Sequence, residues 1–353
     1  MAKRGRPLWM ITLKGVLGGY RYRGPRTGHF DGDRFTNQPP LRPIGLRELL
    51  TLRRERRRTA PWSWAHFPAG PTPAARVNDG SVRITFINHT TFLIQYAGLN
   101  VLTDPVWSTR VSPFRFMGPR RFHAPGVAME SLPPIDAVLL SHSHYDHCDI
   151  STLSALLKSN PRMRLIAPLG HEVIANELGF QCQESLDWWS ACHLKGHAIT
   201  LVPARHWGAR TLWDKCRTLW GGFVMETPQG LLYFAGDTGY SDSFQRIRTR
   251  MGPVSLALLP VGAYQPQWFM SDVHLAPHEA LRAHRELGCQ ASIACHFGCF
   301  ALANDAQDEP QRAVAALRQR NQRDEEALYV PQPGQPMRYA DGKLAPVDVS
   351  SCG

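Results

Sequence analysis

The sequence has no apolar stretch long enough to cross a membrane. A spanning helix needs roughly 18 or more consecutive apolar residues, and no such run occurs in the 353 residues of the chain. The mildly apolar stretch at residues 8–19 follows a basic start, but Lys14 interrupts it and no clear small-residue cleavage site follows. We therefore expect neither a membrane-spanning helix nor a secretory signal.

Paired cysteines, internal repeats and low-complexity tracts are also absent. The eight cysteines are scattered, and none of them forms a C-x-x-C pair. This spacing is not typical of the disulfide frameworks that small secreted domains use. We interpret the cysteines as mostly buried, reduced thiols. We expect the protein to lie in the cytoplasm. Contact with the inner face of the membrane is an open alternative.

Acidic residues are scarce in only one region. Residues 1–60 contain 15 Lys+Arg and 4 Asp+Glu, a net charge of +11, whereas residues 61–353 contain 25 of each and balance to zero. A basic arm on a neutral body favours an anionic partner. Three interpretations remain open: a merely solvated arm, a phospholipid surface, and nucleic acid. A nuclease should present basic residues around its site, so the neutral body argues against nucleic acid.

Regular structure is predicted to begin near residue 81. Residues 1–80 are rich in Gly, Pro and Arg, with helical spacing only at 46–58. Beyond residue 80, strand-like and helix-like stretches alternate, which is typical of sheets covered by helices. We predict a basic irregular arm at 1–80 and an α/β domain at 81–353. The predicted strands are 82–87, 91–96, 100–104, 135–140, 164–167, 198–202, 222–226, 231–235, 254–259, 291–294 and 337–339, and the predicted helices are 150–157, 277–287 and 309–320.

Four side chains with metal-ligand chemistry follow the predicted strand at 135–140. His142, His144, Asp146 and His147 form an H-x-H-x-D-H pattern. Buried imidazoles and carboxylates need partners, and four together would repel or stay unsatisfied without a cation. Imidazole and carboxylate are the ligands of borderline metals such as zinc. In an extended loop His142 and His144 point the same way and can bind one ion, while Asp146 and His147 can turn toward a second.

Three further candidates follow later predicted strands. His206, Asp237 and His296 each lie just after a strand, and glycines flank Asp237. Ligands of open α/β sheets gather at the carboxyl ends of the strands. A lone histidine after a strand is more often structural, but three such positions added to the first motif favour a metal site.

The order H-x-H-x-D-H, then His, then Gly-Asp-Thr, then His resembles the metallo-β-lactamase superfamily. Within it, the chain is similar to the N-acylphosphatidylethanolamine-hydrolysing phospholipase D family and its bacterial relatives. Stretches at 98–105, 141–149, 203–210, 235–240 and 296–298 carry much of this resemblance. The resemblance implies a four-layer αββα sandwich with two zinc ions at one edge, and a metal-dependent hydrolase domain at 81–353.

The resemblance also implies a role for each candidate residue. Asp104 would orient ligands from behind, with a plain strand-end cap as the alternative. Asp146 and Asp237 would take part in catalysis. The implied ligands are His142, His144 and His206 for the first zinc ion, Asp146, His147 and His296 for the second, and Asp237 as a bridge between them.

Substrate residues are predicted in the segment before the last ligand. His274 lies where the phospholipase family has a histidine near its metals, so we expect it to bind substrate or act as a general acid. An exposed loop histidine is the alternative. The apolar loop around it would receive acyl chains, with core packing as the rival interpretation. The residues predicted for that contact are Tyr264, Trp268, Phe269 and Met270.

The implied reaction is hydrolysis of N-acylphosphatidylethanolamine-type phospholipids to phosphatidic acid and N-acylethanolamine. The alternatives are hydrolysis of another ester, such as a lactone or a cyclic phosphate, and a nucleic-acid-processing metallohydrolase. A metal-binding membrane protein without activity is a fourth hypothesis, and the complete ligand set argues against it. The expected partners are the phospholipid substrate and an anionic membrane for the basic arm, with no nucleic acid. A homodimer is one open alternative for the oligomeric state.

Overall fold

The computed structural model describes residues 19–114, 116–320 and 328–347. Residues 1–18, which hold the start of the basic arm and nearly all of the apolar stretch at 8–19, lie outside the described residues, as does Cys352. Within the described ranges, no helix combines the length and the apolar character of a membrane span.

An eight-stranded mixed sheet forms one half of the molecule. It contains β1 (Val82–Asn88), β2 (Thr91–Tyr96), β3 (Leu99–Thr103), β4 (Ala137–Leu139), β5 (Arg164–Pro168), β6 (Cys182–Leu186), β13 (Pro336–Ala340) and β14 (Lys343–Pro346). The order across the sheet is β14-β13-β1-β2-β3-β4-β5-β6. Pairing is antiparallel from β14 to β3 and parallel from β3 to β6.

A six-stranded mixed sheet faces the first. It contains β7 (Ala191–Leu194), β8 (His197–Val202), β9 (Gly222–Thr227), β10 (Gly230–Phe234), β11 (Val254–Pro260) and β12 (Ala291–Cys295), in the order β12-β11-β10-β9-β8-β7. The strands are antiparallel from β7 to β10 and parallel from β10 to β12.

Helices cover the outer faces of both sheets. The described helices are α1 (Leu46–Arg56), a 3-10 turn (Met129–Ser131), α2 (Ile150–Ser159), α3 (Glu172–Leu178), α4 (Ser243–Met251), α5 (Gln267–Met270), α6 (Pro277–Leu287) and α7 (Glu309–Arg320). Asp149 caps α2 by accepting hydrogen bonds from the backbone of Ser151 and Thr152, as expected for an N-cap aspartate. The predicted four-layer αββα architecture is confirmed.

Strand β2 shows why the layers hold together. Successive side chains of a strand point to opposite faces. Phe92 and Ile94 therefore pack between the two sheets, whereas Leu93 packs under the outer helices with Leu153 and Leu156 of α2. Both faces of this strand are buried, so it reads as a continuous apolar run instead of an alternating one.

The structure contains several short elements that the sequence analysis did not predict. The edge strand β6 buries only Leu186, and an edge strand facing solvent needs no apolar alternation. Helix α4 buries only Phe244 and Ile247 among its apolar residues, which is too little for a clear helical period. The tertiary contacts of these elements outweigh their weak local signals.

The described part of the N-terminal arm packs against the domain. Tyr20, Phe30 and Phe35 are buried, and the backbone N–H of Phe35 donates to the carbonyl of Cys216 over 2.7 Å. Asn37 Nδ2 donates to the carbonyl of His206 over 2.8 Å. The division at residue 80 stays a prediction, but residues 20–37 contribute directly to the core and to the backbone that carries a predicted ligand.

We expect Phe35→Ala to lower the free energy of unfolding by about 3–5 kcal/mol, the usual cost of truncating a buried phenylalanine. The ring packs against those of Phe30 and Tyr22. Leu50→Ala, at a side chain that is 58% exposed, should change the free energy of unfolding by no more than about 0.5 kcal/mol. Guanidinium unfolding of both variants measures the difference, and equal stabilities would contradict this packing role.

Candidate metal centre

Every predicted ligand lies just beyond the carboxyl end of a strand. Residues 142–147 follow β4, His206 follows β8, Asp237 follows β10 and His296 follows β12. Because the two sheets face each other, these four loops meet at one end of the sandwich. The sequence-predicted residues are thus brought together from four separate places in the chain.

The first group consists of three histidines. His144 Nδ1 lies 2.8 Å from His142 Nε2 and 3.2 Å from His206 Nε2. One ring nitrogen from each side chain lies within 4.8 Å of the other two. Three converging imidazole nitrogens can hold a transition-metal ion.

The second group combines a carboxylate with histidines. Asp146 Oδ2 lies 3.2 Å from His147 Nε2 and 3.5 Å from His296 Nε2. His89 belongs to the same group, with Nε2 at 2.9 Å from the same Asp146 oxygen. This set could hold a second ion next to the first.

Asp237 lies between the two groups. Its Oδ2 is 3.2 Å from the Nε2 atoms of both His147 and His296. The same oxygen is 3.7 Å from His206 Nε2 and 3.9 Å from His142 Nε2. One carboxylate therefore reaches histidines of both groups, which is the geometry that a shared ligand requires.

A glycine before Asp237 makes this approach feasible. Gly236 has a φ of 59°, and a Cβ placed there would come within 2.6 Å of the Cβ of Ser141. Only glycine adopts such a backbone without cost and leaves room for the neighbouring loop.

Hydrogen bonds behind the histidines fix which ring nitrogen faces the centre. His147 Nδ1 donates to Asp104 Oδ2 over 2.7 Å, and His206 Nδ1 donates to the carbonyl of Val273 over 2.9 Å. His142 Nδ1 lies 2.9 Å from Ser141 Oγ, whose own proton goes to Asp104. These three rings therefore present Nε2 to the centre, since the outer partner of a metal-ligating histidine fixes its tautomer and orientation, whereas His144 presents Nδ1. Asp104 lies behind two of the candidate ligands, in contact with His147 Nδ1 and Ser141 Oγ, and its orienting role stays a prediction.

Unsatisfied buried atoms show that the residues suit cations. His147 Nε2, Asp237 Oδ1 and both ring nitrogens of His296 are buried without a hydrogen-bond partner. Leaving such groups unpaired normally costs roughly 1–3 kcal/mol each. Metal ions would satisfy several of them at once, so the donor set fits a metal centre by its chemistry.

The electrostatics of the site point the same way. Burial acts to lower the pKa of His147, but the carboxylates of Asp237 and Asp146 outweigh it and raise that pKa well above its ordinary value. The same balance raises the pKa of His296 to about 9. Before any cation binds, protons on these two rings compensate the buried carboxylates. Metal binding would displace those protons and should therefore be favoured by rising pH.

His89 was missed by the sequence analysis. It occupies the turn between β1 and β2, its side chain is 1% exposed, and its ring centroid lies 4.1 Å from that of His296. Its carbonyl also accepts a hydrogen bond of 2.7 Å from the backbone of His296. A lone histidine in a hairpin turn carries no signal of its own, so only its proximity to Asp146 and His296 identifies it.

Three residues at the centre have left-handed backbone. His89, Asp104 and His296 have positive φ angles of 48°, 34° and 61°. A non-glycine residue in this region costs of order 1–3 kcal/mol and persists only where its surroundings hold it. The buried hydrogen bonds of these residues supply that restraint.

Arg210 restrains the loop that carries the first motif. Its buried guanidinium donates through Nη1 to the carbonyls of Ser143 and Cys148, over 2.9 and 2.7 Å. It also lies over the ring of Tyr145, 3.9 Å from the centroid. The arginine therefore joins both ends of the segment between His142 and His147. The sequence analysis assigned it no role.

His274 lies at the centre, and its role in substrate binding or proton transfer stays a prediction. Its Nδ1 lies 3.9 Å from Asp237 Oδ2, and its ring faces those of His206 and His296. The side chain is buried, so the alternative of an exposed loop histidine is wrong. Burial, with a smaller contribution from His296, lowers its pKa to about 4. The ring is therefore neutral near pH 7.

The aromatic loop divides into buried and exposed parts. Tyr264 is 5% exposed, and its hydroxyl donates to Glu309 over 2.8 Å. Trp268 is 37% exposed, and its indole N–H donates to Glu55 of α1 over 3.2 Å. Phe269 and Met270 are half-buried. Their contact with substrate remains a prediction, with Trp268 the most accessible of the four.

Comparison with known proteins agrees with this geometry. Residues 99–297 match the β-lactamase superfamily domain. An uncharacterized protein of Mycobacterium tuberculosis is 38% identical over 303 residues, which cover 81% of this chain and 79% of that protein. An N-acyl-phosphatidylethanolamine-hydrolyzing phospholipase D of Caenorhabditis elegans is 35% identical over 228 residues, covering 62% of this chain and 64% of that protein.

Solved structures share the fold. The isothiocyanate hydrolase from Delia radicum gut bacteria superimposes with a TM-score of 0.57 at 22% identity, covering 73% of this chain and 99% of that one. At this level of identity the likeness concerns the arrangement of sheets and helices alone.

We expect His89→Ala to weaken zinc binding by about 10–100-fold, the usual effect of removing a partner that orients a ligand. Calorimetric titration of metal-depleted protein with zinc measures the change. His284→Ala is the matched control, because that buried histidine bonds Ser292 away from the centre. It should alter stability but not zinc affinity. Equal zinc affinity in His89→Ala and the unaltered protein would contradict the role given to His89.

Proposed function

Because this chain belongs to the metallo-β-lactamase superfamily of metal-dependent hydrolases, we propose that it is a binuclear-zinc phosphodiesterase acting on N-acylphosphatidylethanolamine-type phospholipids. Water is added across a phosphorus–oxygen bond, and phosphatidic acid and N-acylethanolamine are released. The observation that carries the proposal is the position of the Asp237 carboxylate between two groups of ligand side chains. The named relative from Caenorhabditis elegans supports the substrate class.

The side chains would divide between two zinc ions. Asp237 would serve both, since its Oδ2 lies within 3.2–3.9 Å of histidines from each group. Such ions, when bound, lower the pKa of water to near neutral and polarise a phosphoryl oxygen. The proposed ligands are His142, His144 and His206 for one ion and Asp146, His147 and His296 for the other.

His274 completes the proposed reaction site. Because its ring is neutral near pH 7, it can hold the substrate by a hydrogen bond. It can protonate the leaving alkoxide only after it has taken a proton from the reacting water. Its position 3.9 Å from Asp237 suits both tasks. Catalytic hydrogen bonds often shorten when the substrate binds.

Helix α1 supports a lipid surface as the place of action. None of its residues is buried, and Leu46, Leu49 and Leu50 are 73%, 49% and 58% exposed. Its last turns carry Arg53, Arg54 and Arg56. A helix with apolar and cationic surface of this kind suits an anionic membrane. The bond from Trp268 to Glu55 places this helix beside the loop that leads to His274.

We expect purified protein with zinc to release N-acylethanolamine from N-acylphosphatidylethanolamine vesicles and to leave a panel of lactones and cyclic phosphates unhydrolysed. Asp237→Asn should abolish this turnover, because it removes the charge that both groups share. Product analysis by mass spectrometry checks the result. Hydrolysis of lactones alone would contradict the lipid assignment, and full activity of Asp237→Asn would contradict the two-metal assignment.

His274→Asn should lower kcat by about 10²–10⁴-fold, the range for loss of proton transfer at a reacting group, with unchanged zinc content. His278→Asn is the matched control, since that histidine is exposed on α6 only four residues away. Steady-state kinetics and metal analysis of both variants provide the test. A change in KM alone would assign His274 to binding, and loss of zinc would make it a ligand.

A further inference from the structure

A cavity of about 500 Å³ lies beside the metal centre without including any of its proposed ligands. Its wall combines the segment at 65–67, strand β1, the start of α7 and residues 330–333 with Phe297 and Gly298. Pockets for small ligands commonly occupy roughly 300–1,000 Å³. The cavity is therefore large enough for a small molecule and is preformed by distant parts of the chain.

Most of the wall is hydrocarbon. Phe67, Phe86, Phe297, Val330, Pro331 and Pro333 line it. The rings of Phe86 and Phe297 stack with centroids 5.6 Å apart, and Phe67 meets His123 edge-on at 5.4 Å. Such a wall favours an apolar chain, since transfer of hydrocarbon from water is the main gain available there.

Two polar side chains in the wall offer hydrogen-bond acceptors. His123 is 2% exposed, and its Nδ1 donates to the carbonyl of Ala124 over 2.7 Å. Burial lowers its pKa to about 4, so the ring is neutral and its Nε2 is an acceptor. Gln311 Oε1 is buried with no hydrogen-bond partner. Once the half-buried Gln311 side chain turns its amide toward the cavity, a ligand that donates a hydrogen bond would satisfy this otherwise costly group.

The charge of the wall excludes anionic ligands. Among the described residues that line the cavity, none is a lysine or an arginine. The acidic side chain there, Asp308, is paired with Arg312 at 3.1 Å and faces solvent. A carboxylate or phosphate head group would find no cationic partner in this wall, and burial without one is unfavourable.

We propose that this cavity binds a single-chain neutral lipid whose head group donates a hydrogen bond, such as a fatty-acid amide or a long-chain alcohol. The hydrocarbon chain contacts the aromatic and proline wall, and the amide N–H or hydroxyl donates to Gln311 or His123. Binding here does not rest on the phosphodiesterase activity, although the N-acylethanolamine released by that reaction belongs to the same chemical class.

The test begins with calorimetric titration of the full chain with N-acylethanolamines of increasing chain length, from octanoyl to hexadecanoyl. Each added methylene should strengthen binding by up to about fourfold until the cavity is filled. Dodecanoate, which has a chain of matched length and an anionic head, should bind at least tenfold more weakly than the dodecanoyl amide. Equal affinities of amide and carboxylate, or no dependence on chain length, would overturn the proposal.

Variants locate the bound lipid. Val330→Trp fills the cavity and should weaken binding at least tenfold. Gln311→Met removes the acceptor at similar size and should weaken it by about two- to tenfold. Gln245→Met is the matched control, because Gln245 is exposed on α4, and should bind as the unaltered protein does. A thermal melt confirms that each variant is folded, and two folded cavity variants with unchanged affinity would overturn the proposal.

The Asp237→Asn variant separates the two proposals. It should keep the full affinity for the N-acylethanolamine, because no proposed ligand lines the cavity. If Asp237→Asn loses this binding while Val330→Trp keeps it, the lipid occupies the metal centre and the cavity assignment is wrong. If the lipid binds as expected but vesicles are not hydrolysed, the phosphodiesterase proposal alone fails.

Discussion

Asp237 Oδ2 lies within 3.2–3.9 Å of ring nitrogens from His142, His147, His206, His274 and His296. A buried carboxylate surrounded by imidazoles is stable only if each group is compensated by protons or by metal ions. This requirement governs the rest of the structure, because the five histidines come from loops that are far apart in the chain. The sandwich must hold these loops in fixed positions around a common centre.

Two kinds of restraint meet that requirement. Strands buried on both faces, such as β2, anchor the loops to a core that tolerates little movement. Hydrogen bonds from outside the centre then fix the positions of individual groups. Asp104 accepts from His147 Nδ1, and Arg210 donates to the carbonyls of Ser143 and Cys148. The left-handed backbone at His89 and His296 is held by other buried bonds, from His89 Nε2 to Asp146 and from the His296 N–H to the carbonyl of His89. Stability and the geometry of the centre are therefore supplied by the same residues.

Two apolar features lie outside this polar centre and differ in character. Helix α1 presents exposed leucines and arginines on the surface, which suits an extended anionic lipid interface. The cavity beside Phe297 is a concave pocket whose described lining residues include no lysine or arginine, and its wall is mostly apolar. The two features therefore differ in charge as well as in shape: α1 ends in arginines, whereas the described wall of the cavity has none.

The sequence by itself indicated the fold class and seven candidate ligand side chains, because strand-end placement and the H-x-H-x-D-H spacing are local properties. Helices α6 and α7 were predicted with their observed bounds for the same reason. The sequence did not identify His89, the hydrogen bonds from Arg210 to the first motif, or the packing of Phe35 into the core. Each of these depends on contacts between residues more than 50 positions apart, which no local spacing encodes. Only the tertiary structure brings such residues together, and it alone decided which histidines surround Asp237.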